Sequence, residues 1–234
     1  MSNIFPNEKC QKVIDNLVEK FSNSINDQET KFYKNKIDPF SAVIDSMICG
    51  ISLSEWVSYE KMRQRQKTLQ NSIGEFHQSI ISTFDGWEDL RRGSIVDIKN
   101  SELKIVAEIK NKFNTTKGNH KIQIYKDLEK ILAEDEYKGF TGYYVEIIPS
   151  QTGSKIIYNK PFVPPNNHTG SKVKERDDIK IIDGKSFYKI VTGHEDGLEQ
   201  LYKTLPEMLR KALSINLAPE NEDLFLQFFY KSFT

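Results

Sequence analysis

The chain has 234 residues, enough to bury one substantial core and consistent with a single domain. An apolar fraction of 38% and a charged fraction of 28% are those of an ordinary globular protein, which argues against the disordered and membrane classes. Lysine plus arginine balances aspartate plus glutamate at 33 each, so net charge points to no polyanionic partner, and any phosphate-binding surface has to be local.

Residues 1–10 lack the basic head and apolar run of a signal peptide, and no later stretch is long and apolar enough to cross a bilayer, so a cytoplasmic location without a membrane partner is expected. Val13, Ile14, Leu17, Val18 and Phe21 recur at helical spacing. Asp38 followed by Pro39 reads as the cap and first turn of a second helix, which should stop near Gly50. Ser52 and Glu55 have the spacing of a capping box, and Trp56, Tyr59, Met62, Leu69, Ile73, Phe76 and Ile80 carry helical periodicity towards Phe84.

The period then changes. Residues 94–99 and 104–112 alternate between apolar and charged around Asn100-Ser101-Glu102, the pattern of a β-hairpin. Helical spacing returns at Ile122, Tyr125, Leu128, Ile131 and Leu132, followed by strand patterns at 142–148 and 155–158. Residues 161–178 are polar and aperiodic, as in a long functional loop; two short strands, 179–182 and 187–191, are expected on either side of Asp183-Gly184. Leu198, Leu201, Tyr202, Leu205, Met208, Leu209 and Leu213 describe a further helix, and an aromatic segment with Phe225, Phe228 and Phe229 follows, for packing on the core or on a partner subunit. The two cysteines, Cys10 and Cys49, are too few for a disulfide framework or a zinc site. The expected architecture is α/β (α+β), a mixed central sheet flanked by helices with helical N- and C-terminal parts. It forms a single domain over 1–234, mainly helical over 1–90, with the hairpin and core over 91–160 and the loop and final helices over 161–234.

Side chains alternate across a strand, so Val106, Glu108, Lys110 and Lys112 share one face of the second hairpin arm, while Ile105, Ala107 and Ile109 share the other. In the first arm Asp97 is expected opposite Val96 and Ile98. A turn of even length brings Asp97 onto the face of Glu108; an odd turn separates them unless a bulge corrects it. Two converging carboxylates without histidine or cysteine make a hard, oxygen-only site suited to Mg2+, with Asp97 and Glu108 as its ligands. Lys110, on the same face, can orient an attacking water and offset charge on a phosphoryl oxygen. The competing reading is a solvated strand face with an ion pair, for which Lys99 and Lys112 would be ordinary surface charges.

This aspartate followed by Glu-x-Lys resembles the PD-(D/E)xK nuclease superfamily, with Val96 in place of the proline. The wider runs, 70–78 around Glu75, 106–118 around Glu108 and Val191-Thr192-Gly193, resemble type II restriction endonucleases, in particular the family that includes enzymes reading GGNCC. The resemblance implies a restriction-endonuclease-like core and Mg2+-dependent, sequence-specific cleavage of double-stranded DNA. It also implies a homodimer that matches the symmetry of a palindrome, a companion DNA methyltransferase, and assistance to the metal site by Glu75 from the preceding helix. Candidate DNA contacts are Lys112, Asn114, Thr115 and Lys117 beside the site, and Asn166, Asn167, His168, Lys172, Lys174 and Arg176 in the polar loop, whose amides and cations suit phosphates and major-groove edges. A solvated surface loop is the alternative in both places. The rival functions are a nuclease that cuts by DNA structure and a DNA-binding protein that performs no hydrolysis.

Overall fold

A computed structural model describes residues 4–5, 7–26, 32–90, 93–116, 118–150, 158–165, 173–215 and 221–233. The chain begins with α1 (Glu8–Asn26), α2 (Pro39–Cys49) and α3 (Leu53–Ile81). Local chemistry sets both junctions. Asp38 accepts from the backbone N–H of Phe40 and Ser41 at the start of α2, and Gly50 closes that helix at φ 64°, a conformation that favours glycine. At the start of α3, Ser52 and Glu55 form a reciprocal capping box. Among the described residues no single helix is long and apolar enough to cross a membrane; α2 and α3 meet that composition only together, across a bend of 111°.

Among the described residues the sheet has six strands: β1 (Trp87–Asp89), β2 (Ile98–Asn100), β3 (Ile105–Lys112), β4 (Thr141–Ile148), β5 (Asn159–Pro161) and β6 (Ile179–Asp183), in the order β1-β2-β3-β4-β6-β5. β1, β2 and β3 are antiparallel neighbours, β3–β4 and β4–β6 are parallel, and β5 closes the far edge antiparallel to β6. The sheet is therefore mixed, with helices on both faces. One face, carrying Ile105, Ala107, Ile109, Tyr143, Val145, Ile147 and Ile182, packs with α1, α3, α5 (Gly184–Thr192), α6 (Gly197–Leu213) and α7 (Glu222–Phe233). The other face, with Val106, Tyr144 and Ile179, is covered by α4 (Gly118–Leu132) and by Tyr137 and Phe140.

One expected strand is corrected. Residues 187–191 are not a strand: Asp183 accepts from Ser186 N at 3.0 Å and caps α5, so Asp183-Gly184 starts a helix rather than a hairpin turn. Phe187, Tyr188 and Val191 are then buried at helical spacing, where alternation over five residues could not separate the two periods. β1 was hidden because three residues carry too short a pattern to register. Of the strand expected at 155–158 only Tyr158 is among the described residues, and it immediately precedes β5; 155–157 lie outside them. In the aromatic C-terminal segment Phe229 enters the core while Phe228 stays 62% exposed.

Gly184 sits where α5 passes over β4. A Cβ there would lie 2.4 Å from the Ile147 carbonyl oxygen and 2.8 Å from its Cα. Backbone cannot move aside as a flexible side chain can, so Gly184→Ala is expected to cost about 2–3 kcal/mol. Urea unfolding checks this; an unchanged midpoint would show that the junction has slack.

Candidate active site

The turn between β2 and β3 comprises residues 101–104, an even length, with Lys104 at φ 54° and Leu103 N donating to Asn100 Oδ1 at 2.9 Å. The resulting register pairs Ile98 with Ala107 and Lys99 with Val106, and its continuation sets Asp97 opposite Glu108. At Asp97 the ladder bends: its N–H donates to Ala107 O at 3.0 Å, and its carbonyl accepts from Leu90 N at 2.9 Å. The expected common face of Val96 and Ile98 is lost in that bend. Val96 packs in the α4-side core and Ile98 in the opposite one, because the chain turns at the aspartate between them. Nor is the Glu108 face purely chemical, since Val106 at its beginning is fully buried; only the C-terminal half of β3 opens.

The bend aims the Asp97 carboxylate across the hairpin. Its Oδ2 accepts from Ile109 N at 2.7 Å, and Lys110 Nζ donates to Glu108 Oε1 at 2.5 Å. Asp97, Glu108 and Lys110 thus converge, with the Glu108 side chain 16% and the Lys110 side chain 31% exposed. Burial, followed by the adjacent Asp97 charge, raises the Glu108 carboxyl to about 7 against the opposing pull of Lys110. Burial also raises Asp97, with the Ile109 N–H and Lys110 pulling the other way. Two acids whose joint ionisation is disfavoured form a site with a deficit of positive charge. Among the described residues no group of three or more His, Cys, Asp or Glu gathers as a metal cluster. Two carboxylates with room for water nevertheless fit Mg2+, which takes few protein ligands.

The structure also brings in residues that pattern reading passed over. Asp89 of β1 sits in register with Ile98, and its charge adds to the rise of Asp97. Glu146 of β4 pairs in register with Lys110 yet is fully buried, accepting from Lys121 Nζ at 2.6 Å and from the Tyr158 hydroxyl. A lone acid inside the apolar run 142–148 was the signal that could have found it. Lys121, on α4 just beyond the site, turns inward to this acid.

The other candidates separate. Glu75 pairs with Lys20 of α1, on a helix that packs against the opposite face of the sheet. His77 of α3 is a buried histidine bonded to the Tyr188 hydroxyl at 2.9 Å, and burial lowers it to about 4. Lys112 ends β3 and Asn114 and Thr115 lie in the turn that follows; all three are exposed, and Thr115 Oγ1 donates to Lys112 O at 2.7 Å. Lys99 is not a free surface charge: it pairs with Glu136 at 2.5 Å and lies over the Tyr137 ring. Lys174 is exposed, while the Arg176 fork is engaged by Asp178 at 2.8 and 2.7 Å. Lys117, Asn166, Asn167, His168 and Lys172 lie outside the described residues.

A sequence profile of the family described as Eco47II restriction endonuclease matches residues 3–214. The chain is 37% identical over 224 residues to the type II restriction enzyme Eco47II of Escherichia coli, covering 92% of each chain. It is 32% identical over 197 residues to the type II restriction enzyme Sau96I of Staphylococcus aureus, covering 84% of this chain and 74% of that one.

Proposed function

We propose the function that follows from kinship: the chain belongs to the Eco47II restriction endonuclease family and is a type II restriction endonuclease, cleaving double-stranded DNA at a specific sequence. The convergence of Asp97, Glu108 and Lys110 on one bent hairpin supports placing the hydrolysis there. Asp97 and Glu108 would hold a divalent cation, Mg2+ in this reading, which when bound supplies charge neutralisation at the phosphate and a more acidic water. Lys110, steered by Glu108, presents its Nζ to the attacking water or to a non-bridging phosphate oxygen as negative charge develops. Lys112, Asn114 and Thr115, next along the chain, are placed to position the DNA backbone. Lys117, Lys174, Arg176 and the 166–172 segment remain candidates for phosphate or base contacts. Glu75 is at most a helper of the metal site, and its pairing with Lys20 weighs against that part.

GGNCC is the proposed recognition palindrome. Cutting both strands of it with one acid-acid-lysine set per chain calls for a symmetric homodimer. The cytoplasm, with a companion methyltransferase protecting host DNA, is the setting this activity requires. Digestion of a plasmid and a phage genome with Mg2+ or EDTA, followed by sequencing of the ends, tests the reading. One palindrome at every end, lost in EDTA, is expected. A smear without shared ends would replace it with a structure-directed nuclease, and saturable binding without cutting with a non-catalytic DNA binder.

A pH dependence follows from the raised carboxyls. Folding lifts Glu108 from about 4.5 to about 7, so the folded state holds the proton more tightly than the unfolded one. That contribution to stability is complete below about 4.5 and is lost as pH rises through about 7. Above 7 both acids are charged and a divalent cation relieves their repulsion, whereas at pH 5.5 it must displace a proton. The rise in Tm on adding Mg2+ is therefore expected to be larger at pH 8 than at pH 5.5, and to vanish in Glu108→Gln. An equal rise at both pH values would place the ion elsewhere.

A further inference from the structure

Five apolar residues of α2, Phe40, Val43, Ile44, Met47 and Ile48, recur with the i, i+3, i+4, i+7, i+8 spacing by which a helix buries one face. In this fold that face points to solvent: Phe40 is 77% and Ile48 79% exposed, and the buried positions of the helix are the small Ala42 and Ser46. Tyr59 of α3 extends the stripe, and a groove of about 710 Å3 runs between the two helices over Ile44, Ile48 and Trp56. The helix ends are well capped and the bend between them is held by the Ser52–Glu55 box, so the exposed face is displayed on a defined scaffold.

We propose that this α2–α3 face is the surface on which a second copy of the chain docks about a twofold axis, a step that rests on the reading of a double-strand cutter with one catalytic centre per chain. The charges around the groove suit a self-complementary contact. Arg63 is held by Glu60 within the chain, while Lys36 lines the same groove as Asp38 and Asp45, so a twofold can set Lys36 of each copy against an acid of the other. Such mixed charge does not fit a phosphate backbone. A membrane surface fits no better, because α2 contains no lysine or arginine, whereas interfacial helices carry a basic polar face. At roughly 100 Å2 for each exposed large apolar side chain, the stripe with neighbouring Leu53 and Met62 approaches the ~800 Å2 per partner of a stable complex.

Sedimentation velocity of the full chain, free of DNA and metal, tests this. At micromolar concentration the wild type is expected at twice the 27.1 kDa chain mass. Met47→Glu with Ile48→Glu is expected to weaken the dimer at least a hundredfold, and the milder Met47→Ser with Ile48→Ser at least tenfold. Phe228→Glu, on α7, should remain dimeric. Circular dichroism melts guard against misfolding, because none of the altered side chains is in the core. A monomer at tens of micromolar, or a dimer that survives both double substitutions, overturns the proposal. Binding of the wild type to anionic vesicles that the same substitutions abolish overturns it in favour of a membrane. If the dimer dissociates as expected but the protein cuts no DNA, the docking surface stands and the endonuclease reading falls.

Discussion

Lys110→Ala is expected to slow single-turnover cleavage about a thousandfold while changing DNA affinity only a few-fold, because a donor aimed at developing charge contributes to the transition state far more than to binding. The lysine lies 2.5 Å from Glu108 Oε1 at the open end of β3 and contributes nothing to either core, so its removal should leave the fold intact. A second readout separates this role from a merely structural one. Lys110 is a group that pulls Glu108 and Asp97 down, so its loss lets both carboxyls rise. The midpoint of the rate-against-pH profile should therefore move to higher pH in the variant. Cleavage within tenfold of wild type, or a loss of rate matched by an equal loss of binding, would remove Lys110 from the chemistry. Glu108→Ala should be at least as severe, since it takes away an acid and the partner that steers the lysine.

The second large effect concerns Glu146, a fully buried acid whose two oxygens are occupied by Lys121 and the Tyr158 hydroxyl. Deleting Glu146 leaves the Tyr158 hydroxyl and Lys121 without their acceptor; because the Lys121 side chain is 24% exposed, the cost is expected at the lower end of the range for buried pairs, about 3 kcal/mol. Glu146→Ala is accordingly expected to lower Tm by about 10 °C in a chain of this size. Replacing both partners by apolar residues of similar volume, Glu146→Leu with Lys121→Met, should recover most of the loss, since desolvating the pair offsets much of its attraction. Differential scanning calorimetry of the two variants decides the matter. A fall of less than 2 °C in the single variant would mean that water reaches the carboxylate. Because Glu146 pairs in register with Lys110, the unfolding cost and any loss of cleavage should be measured separately, below the variant's Tm.

Most of the helices were legible because their signals are local. The Asp38 cap, the Ser52–Glu55 box and repeated apolar residues at helical spacing in α1, α3, α4 and α6 each act within a few residues of chain. The hairpin was legible for the same reason, and the demand for an even turn is met by residues 101–104. Short elements were not. Phe187, Tyr188 and Val191 fit either period, and a side chain on the preceding aspartate decides between strand and helix. The separation of Val96 from Ile98 was out of reach too, since a bend at Asp97 obeys the long-range contacts of its backbone with Leu90 and Ala107 rather than any residue preference.

What the chain determines by itself is the kind of chemistry and the pieces that carry it: an acid on one hairpin arm, Glu-x-Lys on the other, and a turn whose length puts them on one side. Residue type and alternation suffice for that, because they act over one or two strands. Tertiary structure decides the rest. Packing β3 between β2 and β4 buries Asp97 and Glu108 enough to raise both, and the same sheet draws Lys121 inward to Glu146. It also moves Glu75 to a helix on the opposite face and turns the apolar side of α2 outward. Burial and charge proximity depend on residues far apart in sequence, so the pattern of a helix shows that it has an apolar face but not what will cover it.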